Sequence, residues 1–330
     1  MIGYYRFVLA NIVLLFHFFT FEEIGNVFTN YNLGNSAVIC FLFISGYYNY
    51  FLITDNKTYK TYILDRVLRI FPIYLLSTII LLALIQDKIN FGFPLIYEVL
   101  LIPKSFEFLF NKNIKSFFFN GVSWSLAVEF LIFIIFPLII FYVREKYIKF
   151  ILFVGIIIHS FLLSSSILYL DVFKFIGNET ICAERLNLCN AKINYIFGYK
   201  SIFPLILIFF WGYYFAKYNF KKNLIFIIPY LLFFIFLTDD FSRIDVFIGI
   251  FVFIPITWFI SKFKFKIKFD KYFGKISYPI FLIHLPLLYF FDLNFLTSYL
   301  LIMFISILLE RTQNLIDNYR YELRKKNKPI

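Results

Sequence analysis

Arg6 and His17 stand 11 residues apart in the apolar run Tyr4–Phe19, YYRFVLANIVLLFHFF. Eleven helical steps at 100° make three turns plus about 20°, so both side chains leave one face, with His17 about 16 Å farther along. A guanidinium at a membrane mouth can take an anion, and an imidazole at mid-membrane can take a proton. A snorkelling Arg and a His bonded to a neighbouring helix fit the same spacing. Arg66 and Arg69, three residues apart at the head of a later apolar run, point the same way. With Arg6 they make three guanidinium groups for one mouth. That set suits a polyanion such as the phosphates of a nucleotide cofactor, because Arg binds phosphate through two parallel hydrogen bonds. The plainer reading of two Arg alone is a cytoplasmic anchor.

Trp124, Ser125 and Glu129 open another apolar run. Ser125 and Glu129 share a face, and a carboxylate one turn inside a membrane span needs a partner, with His17 or an Arg as the natural candidates. An acid favoured by the helix N-terminus, beside an interfacial Trp, is the alternative. His284 follows Ser277 by seven residues and lies two turns farther along nearly the same face. It fits a structural hydrogen bond as well as chemistry. His159 has only Ser160 for polar company and receives no role. Glu310 and Arg311 close the last apolar run and can form a local ion pair. The cysteines Cys40, Cys182 and Cys189 match no zinc or CxxC spacing, so no metal is expected. Cys40 reads as packing. Cys182 and Cys189 share one loop and can pair if it faces an oxidising compartment.

The elements that carry these residues follow from composition. The 330 residues are 61% hydrophobic, 24% aromatic and 16% charged, with a mean hydropathy of +0.80. Ordinary soluble domains are less apolar and more charged, so a disordered chain, a disulfide scaffold and a cytosolic enzyme are excluded. The expectation is an all-α polytopic membrane bundle in a single domain spanning residues 1–330, with about ten transmembrane helices. Apolar segments lie at roughly 7–21, 36–53, 70–86, 123–142, 150–170, 201–216, 224–238, 243–260, 276–291 and 295–310. Phe91–Pro103 is too short and too broken by Pro94 and Pro103 to span, and reads as interfacial or re-entrant. No cleavable signal peptide is expected; the first run reads as the first span.

Lys and Arg number 32 against 20 Asp and Glu, a net charge of +12. With the N-terminus inside, the inward segments hold 23 of those 32 basic residues and the outward ones 9. The bias predicts both termini in the cytoplasm. The charge is therefore read as topology and contact with anionic membrane lipid, not as a nucleic-acid interface.

Taken in order, these clusters resemble the acyltransferase-3 family of integral membrane acyltransferases. Arg6-x10-His17 resembles its Arg-x10-His motif. Phe43-Ile-Ser-Gly46 is similar to "FFVLSGFL", and Arg66-x-x-Arg69 with Ile-Phe-Pro-Ile-Tyr74 to "RRLLRIYPLY". Trp124-Ser-Leu-Ala-Val-Glu129 looks like "WSLSVE", Ile276-Ser-Tyr-Pro-Ile-Phe-Leu-Ile-His284 like "ISYSLYLWH", and Glu310-Arg311 like the closing "ER". The likeness runs from residue 4 to about 311. Tyr4-Tyr5-Arg6 departs from the usual "LDGLRG", and Ala127 stands where Ser is common. A member that uses an SGNH-type domain is expected here to take it from a separate protein.

The resemblance implies a bacterial inner-membrane enzyme that moves an acyl group, usually acetyl, from cytoplasmic acyl-CoA to a hydroxyl of a surface polysaccharide or its lipid-linked precursor. Acetyl-CoA is then a donor substrate, with no permanently bound cofactor, and the acceptor is a carbohydrate. Arg6, Arg66 and Arg69 are expected to hold the CoA phosphates. His17 is expected to act as the base, or as a transient acyl carrier, with Glu129 orienting it. Trp124, Ser125, Ser277 and His284 are expected to support substrate or structure. A flippase or transporter of lipid-linked sugar also places charge mid-membrane, but leaves the ordered motifs unexplained. A polysaccharide polymerase generally carries a larger outward loop than the segments of roughly 30–35 residues expected here.

Overall fold

The computed structural model describes residues 1–55, 58–85, 99–101, 122–164, 202–218, 223–235, 244–262, 267–291 and 294–326. Every element among them is helical. In lipid each backbone N–H and C=O must find its partner within the segment, which a helix provides. The elements are α1 (Ile2–Phe21), the short α2 (Val27–Asn30), α3 (Leu33–Asp55), α4 (Tyr59–Ile85), α5 (Ser123–Tyr142) and α6 (Glu145–Ser164). They are followed by α7 (Ile202–Lys217), α8 (Ile228–Ile235), α9 (Ile244–Lys262), α10 (Asp270–Phe290) and α11 (Phe295–Lys326).

Six of the described helices are long and apolar enough to cross a membrane: α1, α3, α4, α5, α9 and α11, the last over Phe295–Leu323. A shorter apolar helix covers Pro204–Lys217. The chain is thus a helical membrane protein. The loop carrying Cys182 and Cys189, and nearly all of Phe91–Pro103, lie outside the described residues. Lipid-facing surface is legible on α11, where Leu296, Leu300, Phe304 and Leu308 recur every four residues and are all exposed.

Glycine sets the closest helix contacts. A Cβ on Gly46 of α3 would fall 1.9 Å from the Phe209 carbonyl oxygen of α7, and one on Gly212 would fall 2.1 Å from that of Phe43. The two backbones touch there, as small residues allow in membrane bundles. Phe43 then packs edge-on against Trp211 and Phe215. The α1–α10 joint is built the same way: a Cβ on Gly274 would lie 2.8 Å from the Gly3 Cα. The Asp270 carboxylate accepts the Tyr4 backbone N–H at 2.8 Å, and Tyr4 and Phe7 pack on Phe273.

Helix α9 carries a π-helical turn at Gly249–Phe253, just before Pro255. Proline has no N–H to continue the ladder, and π-turns absorb such interruptions. The Phe253 carbonyl accepts hydrogen bonds from Tyr5 Oη at 3.0 Å and Thr257 Oγ1 at 2.9 Å. Cys40 is buried beside that carbonyl, with its Sγ 3.3 Å from Thr257 Oγ1. It is a packing residue.

Candidate functional site

Helices α1, α3, α4, α5, α10 and α11 enclose a cavity of about 590 Å³. Arg6, Arg66, Arg69, Glu129, Ser125 and Ser277 all line it. Six of the nine side chains singled out from spacing therefore converge on one space, although they come from four helices.

Arg66 is nearly buried. Its guanidinium lies 5.3 Å from the Phe133 ring centroid and 5.9 Å from that of Tyr62, a cation–π cage. Nη2 pairs with Asp65 Oδ2 at 2.5 Å, while Nε is buried with no hydrogen-bond partner among the described residues. A buried N–H left without an acceptor is costly. Arg69 lies over Tyr278, whose hydroxyl donates to the Ile70 carbonyl at 3.0 Å. Asp317 faces it at 3.6 Å.

Glu129 accepts a hydrogen bond from Ser45 Oγ at 2.5 Å. The Ser-Gly pair at residues 45–46 thus has two jobs: Ser45 holds the carboxylate and Gly46 admits α7. The Ser125 and Ser277 hydroxyls donate to carbonyls of their own chain neighbours, Val122 and Gly274. Trp124 packs against the core.

The histidines lie elsewhere. His17 meets His284, with ring centroids 5.3 Å apart. Neither ring belongs to the cavity lining. His284 is fully buried. Its Nδ1 lies 3.1 Å from the Ile280 carbonyl, which can only accept, so the proton is on Nδ1 and the lone pair on Nε2. Nε2 has no partner among the described residues. Phe41 and Phe281 line the apolar part of the cavity with ring centroids 5.8 Å apart, and Phe281 lies 6.0 Å from His284. Phe281 therefore touches both compartments, the basic cavity and the histidine pair.

Over residues 2–309 the sequence matches the acyltransferase-3 family, as its acyltransferase domain. The chain belongs to that family. No curated protein and no solved structure matches it. Acyl transfer in general therefore stands as the activity of an acyltransferase-3 chain with these residues.

Several members of the site escape reasoning from spacing. Asp65, adjacent to Arg66, reads as loop charge; Asp317 and Arg320 read as part of a basic tail. Ser45 was visible only as part of a motif. Glu310 and Arg311 do not make the expected pair: Glu310 turns inward to accept from Asn314 Nδ2 at 2.5 Å, and Arg311 is exposed. The helix gives neighbours in sequence different directions, so i,i+4 wins over i,i+1.

Proposed function

We propose that this protein takes an acyl group, acetyl in the first instance, from acyl-CoA at the cytoplasmic face. It passes that group to a hydroxyl of a cell-surface polysaccharide or of its lipid-linked precursor. It would do so from the bacterial inner membrane, with both termini inside. The observation that carries the reading is the cavity, in which Arg6, Arg66 and Arg69 gather in a chain of the acyltransferase-3 family. Three guanidinium groups in one cavity suit the phosphates of CoA. The apolar lining of the same cavity, which includes Val38, Phe41 and Phe281, suits a pantetheine arm.

In the reaction the imidazole of His17 takes the acceptor hydroxyl's proton as the oxygen attacks the thioester carbon. The C–O bond forms, the C–S bond breaks, and the proton passes to the leaving thiolate. His284, its lone pair held on Nε2, is the group beside His17 that accepts a hydrogen bond during this transfer. Glu129 shares the cavity with the arginines and so acts on the donor side, balancing their charge. Phe281 lines the donor cavity and neighbours His284, so the thioester end of the donor would approach the histidines past its ring.

Glycan from cells with and without the gene provides the test. Loss of O-acetyl signals from one surface polysaccharide on deletion supports the reading. An unchanged acyl pattern, together with altered movement of a lipid-linked sugar, favours a transporter or flippase.

A further inference from the structure

The family match ends at residue 309, but α11 runs on to Lys326. Its 32 residues make a rod about 48 Å long, against roughly 30 Å of hydrocarbon, so its last turns project beyond the bilayer at the end that carries Arg6. That projection is not a loose tail. Gln313 Nε2 reaches the Leu68 carbonyl of α4 at 3.5 Å. Arg320, 5% exposed, grips Asp65 with two hydrogen bonds, Nε to Oδ1 at 3.2 Å and Nη2 to Oδ2 at 3.1 Å. Its Nη1 holds Asp317 Oδ1 at 2.5 Å. Asp317 Oδ2 in turn faces Arg69 Nη1 at 3.6 Å and Lys275 Nζ at 3.2 Å.

These contacts form a continuous chain, Arg66–Asp65–Arg320–Asp317–Arg69. Each carboxylate bridges one cavity arginine to Arg320. Arg320 also lines the cavity, but its Nε, Nη1 and Nη2 all face carboxylates, so its donors are committed. Asp65 occupies Nη2 of Arg66, and Arg66 stays in the cavity lining. A two-pronged Arg–carboxylate contact fixes direction as well as distance, and holding a ligand-binding side chain in place before binding saves the ordering cost on binding.

We propose that the projecting part of α11, through Asp317 and Arg320, is a positioning device that aims Arg66 and Arg69 at the phosphates of the acyl donor. The proposal rests on the reading of the cavity as an acyl-CoA site. Neither residue touches the donor; both act through the two arginines.

The test measures acetyl-CoA affinity of the full chain in detergent, in a cycle of single and double variants. Arg320→Ala should weaken binding by roughly two- to a hundredfold in the wild-type background, the order of couplings within one ion-pair network, and by clearly less once Arg66 is already Ala. A purely structural staple predicts the same fold-loss in both backgrounds, which would overturn the proposal, as would unchanged affinity in Arg320→Ala. If Arg320→Ala does not yield folded protein, Asp317→Asn keeps the shape and removes the charge. It should weaken binding in the wild type and leave Arg69→Ala unchanged, and an equal loss in both overturns the proposal. Wild-type protein that binds no acetyl-CoA would instead remove the donor-site reading, a different failure from a wild type that binds while the cycle shows no coupling.

Discussion

Arg66 concentrates the residue-scale argument. Its guanidinium is caged by Phe133 and Tyr62 and tied to Asp65 through Nη2, and among the described residues its buried Nε meets no acceptor. A hydrogen bond to a charged group contributes about 1.5–3 kcal/mol, so Arg66→Ala should weaken acetyl-CoA binding roughly ten- to a hundredfold. Isothermal titration of the purified variant checks this, and wild-type affinity would remove the role. Spacing placed Arg66, Arg69, Glu129 and Ser125 on helix faces, and those faces do meet in one cavity. It could not place partners, because helical periodicity says which side of a helix a residue takes and nothing about which helix stands opposite. The carboxylate expected to seek His17 or an Arg shares the arginines' cavity and bonds Ser45, while the ring against His17 belongs to His284.

At the scale of elements, two joints carry the site, and both rest on glycine. At the α3–α7 crossing the atom that a Gly46 Cβ would strike is a backbone carbonyl, which cannot swing aside. Gly46→Ala should therefore force the helices apart and cost about 1–3 kcal/mol, as overpacking does. Gly25→Ala is the control, since its Cβ would meet only the Asn30 side chain at 3.9 Å. Thermal unfolding in detergent should fall for the first and stay level for the second.

The α1–α10 joint adds a titratable latch outside the spans. Burial pushes the Asp270 carboxyl up, but the Tyr4 N–H and the terminal ammonium, 2.9 Å away, more than offset it and hold the group below its ordinary value. A depressed folded value means that the latch stabilises above the unfolded carboxylate range of about 4 and is lost as pH falls through the lower folded value. Asp270→Asn should flatten the acid limb of the stability profile, measured by unfolding between about pH 2 and 5; an unchanged limb would show that the latch contributes nothing. Gly46 stands in a motif visible in the sequence, but neither joint was legible as a contact, because the partner glycines, Gly212 and Gly274, are distant in the chain.

Across the whole molecule, composition was the strongest guide. An apolar fraction of 61% leaves little choice but a helical membrane bundle, and a described helix lies on each apolar segment, although α4 starts at Tyr59, well before residue 70, and so carries Arg66 and Arg69 inside it. The surprise lies at the C-terminal end, where a basic tail read as topology continues α11 as regular helix and folds its charges into the site. Charge counts cannot distinguish a cation facing lipid from one gripping a carboxylate. They do predict orientation: with Lys268→Cys introduced near the basic end, a membrane-impermeant thiol reagent should, after mild reduction of any Cys182–Cys189 disulfide, label Cys182 and Cys189 in intact cells and spare position 268 until the cells are opened. Labelling of position 268 in intact cells would reverse the orientation and with it the cytoplasmic donor.

The account stands or falls on His17 as the base in acyl transfer. The direct measurement is O-acetyl content of surface glycan from a deletion strain complemented with wild type or His17→Gln, paired with acetyl-CoA binding by each purified protein. Gln keeps a hydrogen-bonding side chain but accepts no proton at neutral pH, and an interhelical hydrogen bond in a membrane averages only about 0.6 kcal/mol, so a structural His would tolerate it. A lost general base costs roughly 10²–10⁴-fold in rate. The account predicts that His17→Gln binds acetyl-CoA like the wild type and leaves the glycan without O-acetyl groups; O-acetylation restored to the wild-type level by His17→Gln would contradict it.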